Sequence, residues 1–353
     1  MEIKVRNRDP SLDFFRGLLI VLMVLDHVRT MFWPTPDPTG VGATDLVLFL
    51  ARWITHLCAS GFFLIAGISL KLSRHKGIGD KLLKQRLLIR GLSLIALEFL
   101  FLSRWWFEGQ GPTVLQVMWA FGVSMVAMTF FLKCESRWCL GVGFVLAMTG
   151  LHQVEGLLSA QWWRVLVGGP QWIEVSSQWS IYILYPVIPW FGLMLFGYGL
   201  PIFPWAPKKV ALVALTALAL FVALSYPLKP DTWMDWMRVA KYPPEPRFML
   251  ATIGILAVLV LSMQKVVSSH MNPLFYGIVL LGAEPLSVYV VHLPLLRWWS
   301  NKWPIDQMSQ LFYVWLLATL LLIPVAWSTT KVRFLWREAH EYKRRVHGSK
   351  WDS

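Results

Sequence analysis

Acidic, basic and imidazole side chains recur inside stretches that are otherwise apolar, and their spacing carries chemistry. Asp26, His27 and Arg29 fall near the end of an apolar run that opens with Asp13 and Arg16. Asp26 and Arg29 stand three apart, close enough to pair on one helix, which turns His27 toward a neighbouring face. Arg52 and His56 stand one helical turn apart on a single face of the next run, which follows Asp45. His292 lies in a much later run, after Glu284 and before Arg297. A buried imidazole can serve as a general base when an acidic neighbour restores its basicity, a part for which Asp26 and Glu98 are available. The plainer readings are an ion pair beside an interfacial histidine at Asp26–Arg29, a helix-to-helix hydrogen bond at His56 and a structural imidazole at His292.

The elements that must position these groups follow from composition. Of 353 residues 56% are hydrophobic and 15% charged, with a mean hydropathy of +0.53. A soluble globular chain, a disordered one, collagen and a disulfide scaffold are all excluded. At about 20 apolar residues per crossing, the length accommodates roughly ten spanning helices. Apolar runs place them near 14–33, 46–70, 87–107, 114–132, 138–152, 181–205, 210–228, 248–263, 278–299 and 311–329. The expected fold is therefore all-α, a polytopic membrane protein forming one integral-membrane domain over 1–353, with a basic tail at 331–353. On this arrangement His56 lies about 16 Å from Asp45 at ~1.5 Å per residue, near the middle of a hydrocarbon core of roughly 30 Å. An ionisable side chain at such a depth costs about 2.5–3.5 kcal/mol on insertion scales, so each needs a partner, a wet cavity or a task.

The 33 Lys and Arg outnumber the 20 Asp and Glu, giving a net charge of +13. Ten spans put both termini on one side, and most of the basic residues gather there: at the N-terminus, between Lys71 and Arg90, and in the tail from Lys331. The positive-inside bias then makes both termini cytoplasmic. Charge spread over alternating loops, and not gathered on one face, argues against nucleic acid as a partner. Asp26 and His27 follow the first apolar run where a small-residue cleavage site would lie, so that run is expected to stay as the first helix. Cys58, Cys134 and Cys139 offer no convincing disulfide pair and read as packing thiols. Many of the 21 Trp stand near span ends, as an interfacial belt requires. No Cys/His cluster has metal-ligand spacing, and no metal is expected. Glu108 to Pro112 reads as a loop without phosphate-cradle spacing, and Gly197-Tyr198-Gly199 as a helix-packing or turn feature.

Specific strings then narrow the reading. Ser11-Leu-Asp-Phe-Phe-Arg-Gly17, followed by Leu25-Asp-His-Val-Arg29, resembles the opening of the bacterial heparan-α-glucosaminide N-acetyltransferase catalytic-domain family. Arg52-Trp-Ile-Thr-His-Leu-Cys-Ala59 running to Gly67, Tyr185-Pro-Val-Ile-Pro-Trp190 running to Tyr198, and Lys241-Tyr-Pro-Pro244 agree with it. The resemblance implies a membrane acyltransferase of the bacterial inner membrane. It would take an acyl group, acetyl above all, from cytoplasmic acetyl-CoA as donor substrate and deliver it to an extracytoplasmic glycan or glycolipid. Membrane lipid and that acceptor are the implied partners, and a homodimer is left open.

Under this resemblance His27, oriented by Asp26, is the first-choice base, and His56 is the second choice or its hydrogen-bond partner. Arg52 and Arg29 hold the oxyanion or position substrate. Arg16, Lys84, Arg90 and Lys331 are the cations offered to the CoA phosphates, and Arg29, Asp45, His292 and Lys241 are assigned to the acceptor. One departure bears on the assignment. In lysosomal members the histidine regarded as catalytic lies in the loop after the motif-bearing helix, whereas 30–44 here contains none; that role is not carried over, and the candidates this sequence offers, as base or transient acyl carrier, are His27 and His56. The alternative from another class is a secondary transporter that uses the same buried Asp, His and Arg residues as a relay.

Overall fold

A computed structural model describes residues 9–34, 38–39, 45–103, 113–150, 165–168, 170–176, 179–200, 207–228, 232–267 and 273–348. The basic residues Lys4, Arg6 and Arg8, the loop 108–112 and much of the predicted outer segment 155–180 lie outside them. In chain order the elements are α1 (Pro10–Phe32), α2 (Leu46–Thr55), α3 (Leu57–His75) and α4 (Asp80–Leu97), which runs into a π-helical turn at Glu98–Leu102. Then follow β1 (Thr113–Leu115), α5 (Val117–Phe131), α6 (Ser136–Ala147), β2 (Gln171–Ser176), β3 (Trp179–Ile183), α7 (Val187–Gly199) and α8 (Pro207–Ser225). The last are α9 (Trp233–Trp236), α10 (Pro246–Val267), α11 (Pro273–Ala283), α12 (Pro285–Lys302) and α13 (Gln310–Gly348). The fold is thus nearly all-α, and each of the ten apolar runs coincides in whole or in part with helix.

Two features depart from the expectation. A small three-stranded sheet of order β1-β3-β2 pairs β1 with β3 in parallel and β2 with β3 antiparallel. The runs expected as helical spans at 114–132 and 181–205 therefore begin as strands. Alternating Trp179, Ile181 and Ile183 suit a pleated surface, and Pro186 delays the helix until Val187. The run 278–299 is also not one straight span. Its helices α11 and α12 meet at 95° around Glu284, because Pro285 has no N–H and drives the preceding residue out of the helical region, to φ −126° and ψ 49°.

Among the described residues three helical stretches are long and apolar enough to cross a membrane: Leu46–His75, Pro207–Leu228 and Gln310–Trp336. The bent α11–α12 pair makes a fourth if counted as one span. The first stretch stays nearly continuous through the α2–α3 junction because His56 keeps helical dihedrals of −58° and −26°. Outward-facing Leu212, Leu215 and Leu224 on α8, and Phe312, Leu316 and Leu320 on α13, present the apolar surface that hydrocarbon requires. Helix α13 continues to Gly348, through most of the segment expected as the tail.

The chain divides into two compact units, Met1–Thr35 with Val266–Ser353, and Pro36–Lys265. In the first, α1 starts at an Asp9 cap that accepts the Ser11 amide at 3.0 Å, with Pro10 in the first turn. It packs on α11, α12 and α13. Trp315 of α13 donates its indole N–H to the Val21 carbonyl at 2.9 Å. In the second unit α3, α6 and α7 pack closely, and α4 pairs with α5. Gly197 of α7 is required by this approach: a Cβ there would stand 2.2 Å from the Leu64 carbonyl oxygen of α3. The Gly197-Tyr198-Gly199 string is accordingly a helix-packing device. Gly197→Val is expected to destabilise at or above the upper end of the ~1–3 kcal/mol typical of overpacking, since the obstacle is backbone. Thermal unfolding in detergent would read this as a lowered midpoint, and an unchanged midpoint would contradict the packing.

Candidate active site

The titratable groups singled out above fall in both units, Asp26, His27, Arg29 and His292 in the first, Asp45, Arg52, His56 and Lys241 in the second. In the first unit His27 Nδ1 lies 2.6 Å from His292 Nε2, and the rings meet edge to edge, with centroids 4.9 Å apart and planes 17° from parallel. His292 is fully buried. Its other nitrogen, Nδ1, points back along its own helix α12, 2.7 Å from the Tyr289 carbonyl oxygen and 3.2 Å from that of Val288. The Tyr289 ring stands edge-on to both imidazoles. His27 itself is half-buried. Asp26 Oδ1 meets Arg29 Nη2 at 3.3 Å, the three-residue pairing that the helix permits. His27 thus meets an imidazole from 265 positions away, which no local spacing could disclose.

The carboxylates of this unit form further pairs. Arg16 and Asp13 bond across one turn of α1, so one cation expected for CoA phosphates is engaged within its own helix. Glu284, at the α11–α12 bend and 2% exposed, binds Arg333 of α13. Lys331 stays exposed, its ammonium 4.9 Å from the Trp327 ring centroid.

In the second unit three of the strings behind the resemblance converge on one aromatic cluster. His56, 1% exposed, lies edge-on to Trp53 and to Phe248 of α10, at 6.1 and 5.3 Å between centroids. Phe248 abuts Trp190 of α7, and Trp190 abuts Tyr185 at 5.2 Å. Tyr185 and Tyr242 meet through their hydroxyls at 3.2 Å, and the buried Lys241 ammonium lies over both rings, 5.8 and 5.1 Å from their centroids. Trp53 is pinned by an indole N–H donated to the Met237 carbonyl at 2.8 Å. Arg52 is buried one turn before His56. Asp45 caps α2, accepting the Leu48 amide at 2.9 Å. Sequence reading singled out Lys241 and His56 but not Tyr185, Tyr242 or Trp190 as side chains. Their presence in the quoted strings was the one available signal.

Glu98, considered a possible acid beside His56, has another task. Its Oε2 accepts the Met118 and Trp119 amides, each at 3.1 Å, at the start of α5, where Gln116 provides no side-chain cap. A carboxylate there satisfies amides that the helix leaves over and meets the positive end of its dipole. Glu98→Ala strips both amides of this acceptor, and with ~1–2 kcal/mol for each buried donor it is expected to cost about 2–4 kcal/mol. Hydrogen exchange at the start of α5 should accelerate; unchanged protection there would contradict the cap.

The expected cytoplasmic cation set is partly committed. Lys71 donates to Ser136 Oγ and lies over the Tyr198 ring, and Arg74 pairs with Asp80 at 3.1 Å. Lys84 and Arg90 lie on the exposed side of α4. Among the described residues no three His, Cys, Asp or Glu side chains gather closely enough to hold a metal ion.

Chemically, the first unit offers two imidazoles joined edge to edge, beside an Arg–Asp pair, a set able to take and return a proton. The second offers buried cations in an aromatic enclosure. A comparison with known families matches residues 8–205 to the model described as heparan-alpha-glucosaminide N-acetyltransferase, catalytic. No curated protein matches the chain. The matched region contains His27, Arg29, Arg52, His56 and Tyr185, and ends before Lys241 and His292.

Proposed function

The chain belongs to the heparan-α-glucosaminide N-acetyltransferase catalytic family, the match covering more than half its length, and from that premise we propose the following reaction. A transmembrane acyltransferase moves acetyl from cytoplasmic acetyl-CoA to an amino or hydroxyl group of an extracytoplasmic glycan or glycolipid. The chain crosses the bacterial inner membrane about ten times with both termini in the cytoplasm, a topology supported by the positive-inside bias of its basic residues. Lys84, Arg90 and Lys331, all exposed, are the cations offered to the CoA phosphates.

His27 acts as the base. It takes the proton of the attacking amine or hydroxyl as the acceptor bonds to the thioester carbon. The carbon–sulfur bond breaks, and the departing CoA thiolate recovers that proton from the imidazolium. Arg29, buried two residues further along α1 and paired with Asp26, is the cation offered to the developing oxyanion. Within the second unit Arg52, Lys241 and His56 lie with Tyr185, Tyr242 and Trp190, whose aromatic faces are of the kind on which sugar rings stack. The observation that carries this reading is the 2.6 Å contact between His27 and His292, which holds a half-buried imidazole in one orientation within an apolar helix bundle.

The test is transfer of radiolabelled acetyl from acetyl-CoA by the purified protein in proteoliposomes supplied with an envelope glycan fraction. Label is expected in the glycan, with release of one CoA thiol per acetyl transferred. Monodisperse protein that leaves the glycan unlabelled would defeat the proposal.

A further inference from the structure

Hydrogen-bond bookkeeping around the two imidazoles determines where their protons sit. Carbonyl oxygens only accept, so His292 Nδ1, facing those of Tyr289 and Val288 at 2.7 and 3.2 Å, carries a hydrogen. A second proton on His292 would place a full charge on a ring with no solvent exposure and no carboxylate among its bonded partners, an expensive arrangement. Nε2 of His292 is therefore a lone pair. The 2.6 Å contact to His27 Nδ1 then requires the hydrogen between them to belong to His27. With Nδ1 protonated, the neutral His27 ring carries its lone pair on Nε2.

We infer that His292 is a positioning residue: it locks His27 in the Nδ1–H tautomer and presents His27 Nε2 as the basic nitrogen. This rests on the acyltransferase reading for its purpose, but the geometry behind it does not. The chain runs from the α12 carbonyls to His292 Nδ1–H, from His292 Nε2 to His27 Nδ1–H, and so to His27 Nε2. It has the logic of an orienting group, an imidazole and a substrate proton, with a second imidazole in the orienting place. When Nε2 takes the acceptor's proton, the imidazolium keeps its Nδ1–H bond to His292, which strengthens as a charge-assisted hydrogen bond. The two rings lie within 17° of one plane, meeting edge to edge as an in-line N–H···N bond between imidazoles requires. His292 lies beyond the region matched by the family model.

Two measurements test the lock. The first is nitrogen-15 NMR of histidine-labelled full-length protein in lipid, with the two rings assigned from the His27→Asn and His292→Gln variants. Both rings are expected to show a protonated Nδ1 and an unprotonated Nε2, the less common tautomer in water. A protonated Nε2 with bare Nδ1 on neutral His27 would overturn the inference. The second is steady-state kinetics. His292→Leu removes the acceptor and should lower kcat by at least about 10-fold with KM little changed, since a mis-set tautomer withdraws the base and not the binding site. His292→Gln, whose amide oxygen can accept from His27, should recover much of that loss. Equal kcat in the Leu, Gln and wild-type proteins, each monodisperse, would also overturn it. Absence of acetyl transfer by the wild-type protein would remove the acyltransferase reading, and the NMR result would still decide the tautomer by itself.

Discussion

Replacing His27 by Ala is expected to reduce acetyl transfer by about 10²–10⁴-fold, the range that general-base catalysis supplies. The loss should appear in kcat with KM nearly unchanged, because the imidazole acts on the proton of the reacting group and contributes little to ground-state binding. His27 is half-buried and its partner His292 is fully buried, so truncation leaves the outer ring position empty and the inner ring in place. Chromatographic behaviour should stay close to wild type, and thermal stability should fall only by the ~1–3 kcal/mol of leaving the buried His292 Nε2 without its donor. His56→Ala differs in kind. That ring is 1% exposed and packs between Trp53 and Phe248, so its removal opens a cavity and should lower stability as well as activity. Full turnover by a folded His27→Ala protein would end the assignment of the base.

The second large effect is structural. Arg333→Leu removes a cation that pairs with Glu284 at the 95° bend between α11 and α12. Loss of one partner from a fully buried pair costs about 3–5 kcal/mol; Arg333 is 43% exposed while Glu284 is 2% exposed, so we expect about 2–3 kcal/mol. The double variant Glu284→Gln with Arg333→Leu removes the buried charge together with its counter-ion and should regain most of the loss. Thermal unfolding of these two variants and of Glu284→Gln alone in the same detergent gives the cycle, and additive losses would show that the two side chains are not coupled. The bend carries His292 two turns further along α12, so His27-dependent activity should fall in Arg333→Leu even below its unfolding temperature.

Much of this protein is legible in local sequence. Hydropathy locates its helices because a run of apolar residues has nowhere to go but a bilayer or a core, and each of the ten runs coincides with helix. The Asp9-Pro10 start of α1 and the Asp45 cap of α2 are equally local, being decided by side chains that bond amides two or three residues on. Family membership could be read from the strings around Asp26-His27 and Arg52, both inside the matched region. The strands escaped because β1 and β3 pair across 68 positions, as Thr113 with Ile181, and each is too short to outweigh the apolar run that contains it. The sharp α11–α12 bend escaped although Pro285 marks it, since proline alone permits a kink without setting its angle.

The site divides in the same way. Sequence by itself determined which ionisable residues lie in apolar surroundings, that Asp26 and Arg29 can pair, and that Arg52 and His56 share a face, because all of these depend on the 3.6-residue turn. Only the tertiary structure decided that His292 is the partner of His27, that Glu98 serves the start of α5, and that Lys241 rests on Tyr185 and Tyr242. Contacts between helices depend on packing and on orphan backbone groups that must find partners, and neither is written at a fixed spacing along the chain. The carbonyls of Val288 and Tyr289 exist in any sequence; that one imidazole bonds them and thereby sets the proton of another is a consequence of how α12 lies against α1.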